Sequence, residues 1–231
     1  MYDLKLALNT AKAFTANRRI KVDKAMIVSI RGAYVTPEYV YATDSKILIR
    51  IQHNSDISDS YVHFYNKDDE PYYKKHPKPF PPVERIMPKH EHATWAYNIL
   101  DSKEWRNIHD MAALIKGNNT IVTMDMESSS ITTEGMHKTH YGITTFSYTD
   151  LPLERIPFTR TFAKKEFPKL NYNNDYMLTG LKAFSKLKMK SPLQLAIYED
   201  AFKPFLLSGE GVDVIIMPTK KEHKVPEAKS S

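Results

Sequence analysis

The chain reads as an α+β protein of antiparallel sheets with helices packed on one face. Three observations predict this class. An amphipathic helix followed by three strand-like runs occurs twice, offset by about ninety residues. The strand runs are short, rich in β-branched and aromatic residues, and in one place meet at a tight polar corner, "VYATDSKILIRI" (40–51). Between the two copies lies a stretch dense in proline and charge, "NKDDEPYYKKHPKPFPPVERIMP" (66–88), with the composition of a connector.

Residues 2–16 carry Leu4, Leu8, Ala11 and Phe14 on one stripe, which predicts the first helix. Strands are expected at 25–32, 39–44 and 46–52. After the connector comes an alternating segment, "HATWAYNI" (92–99). Asp101-Ser102 is an N-cap signal for a helix whose apolar stripe is Trp105, Ile108, Ala112 and Ile115, and Gly117 is expected to end it. Strands follow at 120–127, 129–134 and 138–148. A strand at 167–172 leads into a capped helix over 173–187, with Met177, Leu181 and Phe184 on its inner side and Lys182 and Lys186 beside them. Three strands, "LQLAIYE", "PFLLSG" and "VDVIIMP", close the folded part. The expected organisation is a half-sized first unit with its connector (1–83), a complete second unit (84–220) and a disordered polar tail (221–231).

Composition narrows the function. The 231 residues are 42% hydrophobic, enough for one large domain or two small ones. The absence of cysteine excludes disulfides and thiolate metal sites, and the expected location is cytoplasmic. The first residues do not have the pattern of a signal peptide, and no apolar run approaches the ~18 residues of a membrane span. The net charge of +6 is unevenly placed. Residues 1–31 hold Lys5, Lys12, Arg18, Arg19, Lys21, Lys24 and Arg31 against Asp3 and Asp23, and a second basic group is Lys182, Lys186, Lys188 and Lys190. Clustered basic charge suits a polyanion, and equally a solvated helix face.

No arrangement of residues asks to be called an active site. Seven glycines form no phosphate-binding loop. His137 and His140 would point to opposite faces of a strand, and His90 and His92 lie in a loop without an acidic partner in register, so neither a metal nor another cofactor is expected. Asp68-Asp69-Glu70 reads as a solvated turn. Tyr72-Tyr73 among lysines suits stacking on bases or, more simply, packing of the connector on the body.

Four motifs in order resemble the bacterial DNA polymerase III β subunit, the sliding clamp. "YATDSKIL" (41–48) is similar to that family's A-T-D-G-H-R-L corner, "FPPVERIMP" (80–88) to its F-P-D-Y-R-R-V-x-P interdomain junction, and "VDVIIMPTK" (212–220) to its C-terminal Y-x-x-M-P-M-R. "NNDYMLTGLKAF" is similar to the F-N-x-x-Y-L-x-x-A-L helix of its last domain. Serine stands where the family's corner has glycine, and nothing matches the family's first domain or the second half of its middle domain. The resemblance implies a DNA-clamp-like fold and a non-enzymatic, homo-oligomeric processivity factor around duplex DNA. It also implies an apolar cleft for peptides of DNA polymerase and other clamp-binding proteins, formed by Thr43, Ser45, Lys46, Leu48, Pro88, Ile215, Met217, Pro218 and Thr219. Lys5, Lys12, Arg19, Lys182 and Lys186 are then the expected DNA contacts, with Lys103 and Arg106 diluted by neighbouring acids. The alternative is a clamp-derived adaptor or competitor that keeps the cleft without closing a ring. A small nuclease has no support beyond scattered His and acidic residues.

Overall fold

A computed structural model describes residues 1–16, 28–75, 79–89, 92–115, 121–136, 143–156, 169–189, 192–198 and 203–219. Helix α1 (Leu4–Ala11) is capped by Asp3, whose carboxylate accepts the Leu6 amide at 3.1 Å, and it tightens into a 3-10 turn over Lys12–Phe14. This is shorter than the helix expected over 2–16. Ala7, Ala11 and Phe14 are its fully buried face, and Tyr2 already bridges to His53.

The strand expected at 25–32 is not formed over its described part: Val28–Ile30 make a helical turn, and β1 (Gly32–Val35) begins only at the glycine. A Cβ on Gly32 would lie 2.7 Å from the His63 carbonyl oxygen of the neighbouring strand, so the close pairing requires glycine there. Next come β2 (Tyr39–Thr43), β3 (Ile47–Gln52) and β4 (Tyr61–Phe64), the last unforeseen. The connector is more ordered than its composition suggests. It contains helix α2 (Asp69–Lys75), with Pro71 in the first turn where its missing N–H is harmless, and the single turn α3 (Val83–Ile86). Asp69, expected in a solvated turn, is buried and paired with Arg31 at 3.2 Å. Tyr73 packs on Phe64, ring centroids 5.2 Å apart, so the connector does pack on the body.

The second part runs β5 (Trp95–Ile99), α4 (Ser102–Ala113), β6 (Ile121–Asp125), β7 (Ser130–Met136), β8 (Ile143–Tyr148), the unforeseen β9 (Leu153–Arg155), β10 (Lys169–Asn173), α5 (Asn174–Lys186), β11 (Leu193–Ile197), β12 (Phe205–Gly209) and β13 (Val212–Ile216). Asp101 caps α4 and Asn173 caps α5, as their sequences foretell. Gly117, His90, His137, His140, Arg19 and the tail 221–231 lie outside the described residues.

Two antiparallel sheets result. One has nine strands in the order β4-β1-β2-β3-β13-β12-β11-β5-β9, the other four in the order β10-β6-β7-β8. The central join is β3 against β13, with Leu48 opposite Ile215 and Ile47 opposite Ile216. Strands from both repeats thus share one sheet. Alternation sorts its side chains. Ile47, Ile49, Ile51, Val212, Val214, Phe205 and Leu207 enter the main core with α1, α4 and α5, and this core continues to Val122, Met124, Leu170 and Tyr172 of the smaller sheet. Tyr41, Leu48, Ala196, Leu206 and Ile215 form a second core on the opposite face, closed by Phe80 and Val83 of the connector. Burial on both faces explains the near-continuous apolar runs of β3 and β13.

Candidate peptide cleft and basic face

The Thr43–Ile47 corner is fixed by its own polar side chains. Thr43 Oγ1 donates to the Ile47 carbonyl at 2.8 Å and accepts the Ser45 amide at 3.0 Å. Asp44 Oδ1 accepts the amides of Lys46 and Ile47 at 2.8 and 3.0 Å. From α5, the Tyr176 phenol approaches the same carboxylate. Burial first, and the Asp44 charge second, push its pKa up to about 12, so it stays protonated. Ser45 sits at the tip with φ 80°, a left-handed conformation that favours glycine.

Next to this corner β13 ends, and the Met217 amide donates to the Lys46 carbonyl at 2.9 Å. On the other side stands α3. These segments enclose a cleft of about 430 Å³ with Thr43, Ser45, Lys46, Leu48, Ile215 and Met217 in its wall, together with Ile30, Ile47, Pro81, Val83, Ile86 and Pro204. Its lining is almost wholly apolar. Ile86 is 59% and Met217 37% exposed, so two large apolar side chains stand in water at its mouth.

Pro88, Pro218 and Thr219 do not line this cleft. Pro88 lies beyond the end of α3. Past Met217 the chain turns toward β10, where the Thr219 amide donates to the Asn171 carbonyl at 2.7 Å. The proline contributed by the junction is Pro81, at the start of "FPPVERIMP" rather than at its end. Pro81 and Ile86 were within reach of the motif match. Ile30 and Pro204 carried no signal, because only the fold brings them to this place.

Behind the cleft, on the same face of the sheet, Arg50 Nε donates to Asp213 Oδ2 at 2.9 Å across β3 and β13, and the guanidinium lies 5.0 Å from the Tyr39 ring centroid. Burial opposes the charge on Arg50, but Asp213 beside it more than offsets this and holds its pKa above the ordinary value. Burial, then the Glu84 carboxylate that accepts its hydroxyl at 3.3 Å, raises the pKa of Tyr41. Arg50 and Asp213 thus cancel each other, while Glu84 keeps its charge beside the Tyr41 hydroxyl. Among the described residues, no group of three or more His, Asp or Glu is placed to hold a metal ion.

Lys5, Lys12, Lys182 and Lys186 are all exposed. The helices that carry them meet: Lys186 Nζ donates to the Asn9 carbonyl of α1 at 2.7 Å. Lys5 and Asn9 share one face of α1, and Lys182 and Lys186 one face of α5, so the cations gather at a common surface. Lys12 stands 5.7 Å from the Tyr65 ring centroid. Arg106 of α4 is instead paired with Asp110 at 3.4 Å.

The arrangement has counterparts among solved structures. The chain superposes on the DNA polymerase III subunit beta of Pseudomonas aeruginosa with a TM-score of 0.64 at 11% identity, covering 94% of this chain and 64% of that one. The DNA polymerase sliding clamp of Caulobacter crescentus gives 0.66 at 14% identity, with 94% and 63% covered. The DnaN sliding clamp of Bartonella birtlesii, bound to griselimycin, gives 0.67 at 12%, with 94% and 64% covered. The chain has the sliding-clamp fold. It spans less than two-thirds of the length of these clamps. No family model matches the sequence, and a comparison with curated proteins finds no match. The clamp-like fold is what unites the two repeats in one sheet, and it places the 40–51 hairpin, the connector and the last strand around a single cleft. No helix among the described residues is long and apolar enough to cross a membrane.

Proposed function

We propose that the protein is a non-enzymatic, sliding-clamp-like processivity factor that binds duplex DNA without reading sequence and recruits DNA polymerase or repair clients through the cleft. The observation that carries the reading is the cleft itself. Three segments far apart in sequence converge on about 430 Å³ of apolar space whose mouth exposes Ile86 and Met217. Short peptides bind such grooves through a few apolar anchors, and a methionine wall adapts to varied ones. The lysines of α1 and α5 support the DNA half of the proposal: exposed on helices that meet, they suit loose phosphate contact.

The test is a titration of a clamp-binding peptide against wild type and Met217→Ala. Micromolar binding, about −8 kcal/mol, is expected for wild type. The variant should lose about 1–2 kcal/mol of it. Equal affinity for both proteins, or binding to neither, rejects the cleft. A second reading, an adaptor or competitor that keeps the cleft but forms no ring, is favoured by the first repeat, which among the described residues passes from β4 into the connector without a counterpart of α5 and its strands. Mass in solution separates the two. A ring built from β-edge pairing predicts a dimer or trimer, and the adaptor a monomer at high concentration.

A further inference from the structure

The fold uses one unit three times, a helix followed by a three-stranded antiparallel meander: α1 with β1-β2-β3, α4 with β6-β7-β8, and α5 with β11-β12-β13. Two of these units are joined through their last strands. β3 pairs with β13, and beside that join α1 and α5 meet, with Lys186 Nζ donating to the Asn9 carbonyl at 2.7 Å. The remaining unit has no such neighbour. β8 is an outer strand of the smaller sheet, and its far edge has no partner strand among the described residues.

Outer strands are ordinarily short, charged or covered. β9 is three residues long and carries Glu154 and Arg155. β10 carries Lys169 and receives the Thr219 amide on Asn171. β4 is four residues long, with Tyr73 of α2 packed on Phe64. β8 has six residues, Ile-Thr-Thr-Phe-Ser-Tyr, with neither charge nor proline. Phe146 and Tyr148 pack toward the core but are only half-buried, so the core is incompletely covered at this edge.

α4 is incomplete on the same side. The Tyr148 hydroxyl donates to Glu104 Oε1 of α4 at 2.6 Å. Met111, seven residues on, shares that face of the helix and is 42% exposed. Leu114 is 75% exposed. It lies thirteen residues beyond its N-cap Asp101, as Lys186 lies thirteen beyond Asn173. At the joined units the side chain in this position reaches the neighbouring helix, and on α4 it is a leucine in water.

We propose that β8 pairs with β8 of a second copy of this chain about a two-fold axis, with α4 beside α4 of the copy. The last strands of the other two units are already paired with each other, so β8 is the one that a copy can offer. Self-pairing sets no like charges opposite one another, because β8 has none. A stable interface buries roughly 800 Å² per partner, more than one strand pair supplies, so the helices take part, as α1 and α5 do beside β3 and β13. Opposed residues of an antiparallel pair share a face, so Phe146 and Tyr148 must oppose core-facing residues of the copy. The axis therefore passes through a residue rather than between two. The registers that oppose five residues, as β3 and β13 do, place it at Thr145 or at Phe146. The proposal depends on neither the cleft nor the DNA surface.

The chain contains no cysteine, so introduced ones report contacts directly. Thr145→Cys and Ser147→Cys, both at exposed positions, are made in the full chain. Thr145→Cys alone and its mixture with Ser147→Cys are oxidised and read by non-reducing electrophoresis. Opposed residues of an antiparallel pair stand about 4.5–5.5 Å apart, within reach of a disulfide. Thr145→Cys should trap a dimer by itself if it lies on the axis, and the mixture should do so if Phe146 does. Sedimentation equilibrium should give wild type the mass of two chains. Leu114→Glu, at a position already in water, should weaken self-association at least tenfold with an unchanged circular dichroism spectrum. A monomer or an odd number of chains, no cross-link in either arm, or undiminished association of folded Leu114→Glu overturns the proposal. So does cross-linking of Thr145→Cys to Tyr61→Cys on β4, the mark of head-to-tail pairing.

Discussion

Ser45 holds a backbone conformation that its side chain disfavours, φ 80°, at the tip of a corner otherwise secured by Thr43 and Asp44. Replacing it by glycine should raise stability by about 0.5–1 kcal/mol, read as a higher urea midpoint at unchanged slope. His109 shows the opposite case, a side chain fully accepted by its surroundings only when neutral. Its Nδ1–H donates to the Trp105 carbonyl at 2.8 Å, which leaves Nε2 to accept the Tyr172 hydroxyl at 2.8 Å. Burial lowers its pKa to about 4. The unfolded chain binds this proton near pH 6.5 and the folded one only near 4, so the unfolded state holds more protons within that window. Stability is therefore complete above about pH 6.5 and falls as pH drops toward 4, by up to about 3 kcal/mol from this group. Urea unfolding of His109→Gln across pH 7 to 4.5 should show a lower stability at pH 7 and a flatter slope than wild type. Parallel slopes would remove His109 from the acid response.

Among the elements, α5 sets the geometry of both proposed surfaces. It carries Lys182 and Lys186 outward, meets Asp44 through Tyr176, and crosses β13 so closely that a Cβ on Gly180 would lie 3.1 Å from Val214 Cγ1. Gly180→Leu should push the helix off the strand and cost about 1–3 kcal/mol in stability, measured by thermal or urea denaturation. The helix periods and caps were legible in the sequence because α4 and α5 have continuous apolar stripes and polar caps at Asp101 and Asn173. β4, α2 and β9 were not. Tyr61–Phe64 has no alternating burial, Asp69–Lys75 is charged and contains proline, and Leu153–Arg155 is only three residues long. Such segments become regular because they dock on a formed sheet, and local preference does not announce this.

For the whole molecule, the proposed DNA surface depends on two helices that are distant in sequence and joined by Lys186 on Asn9. Binding to duplex DNA should be weak, indifferent to sequence and strongly salt-dependent. Replacing Lys5, Lys12, Lys182 and Lys186 by alanine should reduce the slope of log K against log salt by roughly 0.9 for each phosphate that is no longer neutralised. An unchanged slope would make these lysines a solvated face. Lys46→Glu should instead weaken acidic peptides at the cleft, with an effect that fades as salt rises, because the charge is exposed.

The sequence by itself determined the fold class, the repeated helix and its strands apart from the one expected at 25–32, the helix caps and the polar hairpin at Thr43-Asp44-Ser45. Each of these is set by residues within a turn or two of one another, so pattern and cap chemistry suffice. It also named Thr43, Ser45, Lys46, Leu48, Ile215 and Met217, through motifs that keep their spacing. Only the tertiary structure decided that β3 pairs with β13, that Pro81 rather than Pro88 enters the cleft, and that Ile30 and Pro204 complete it. Those pairings join segments as much as about 170 residues apart. Apolar runs such as those of β3 and β13 match many partners equally well along the chain. The choice among them is made by burial on both faces of a common sheet, which exists only once the whole chain has folded.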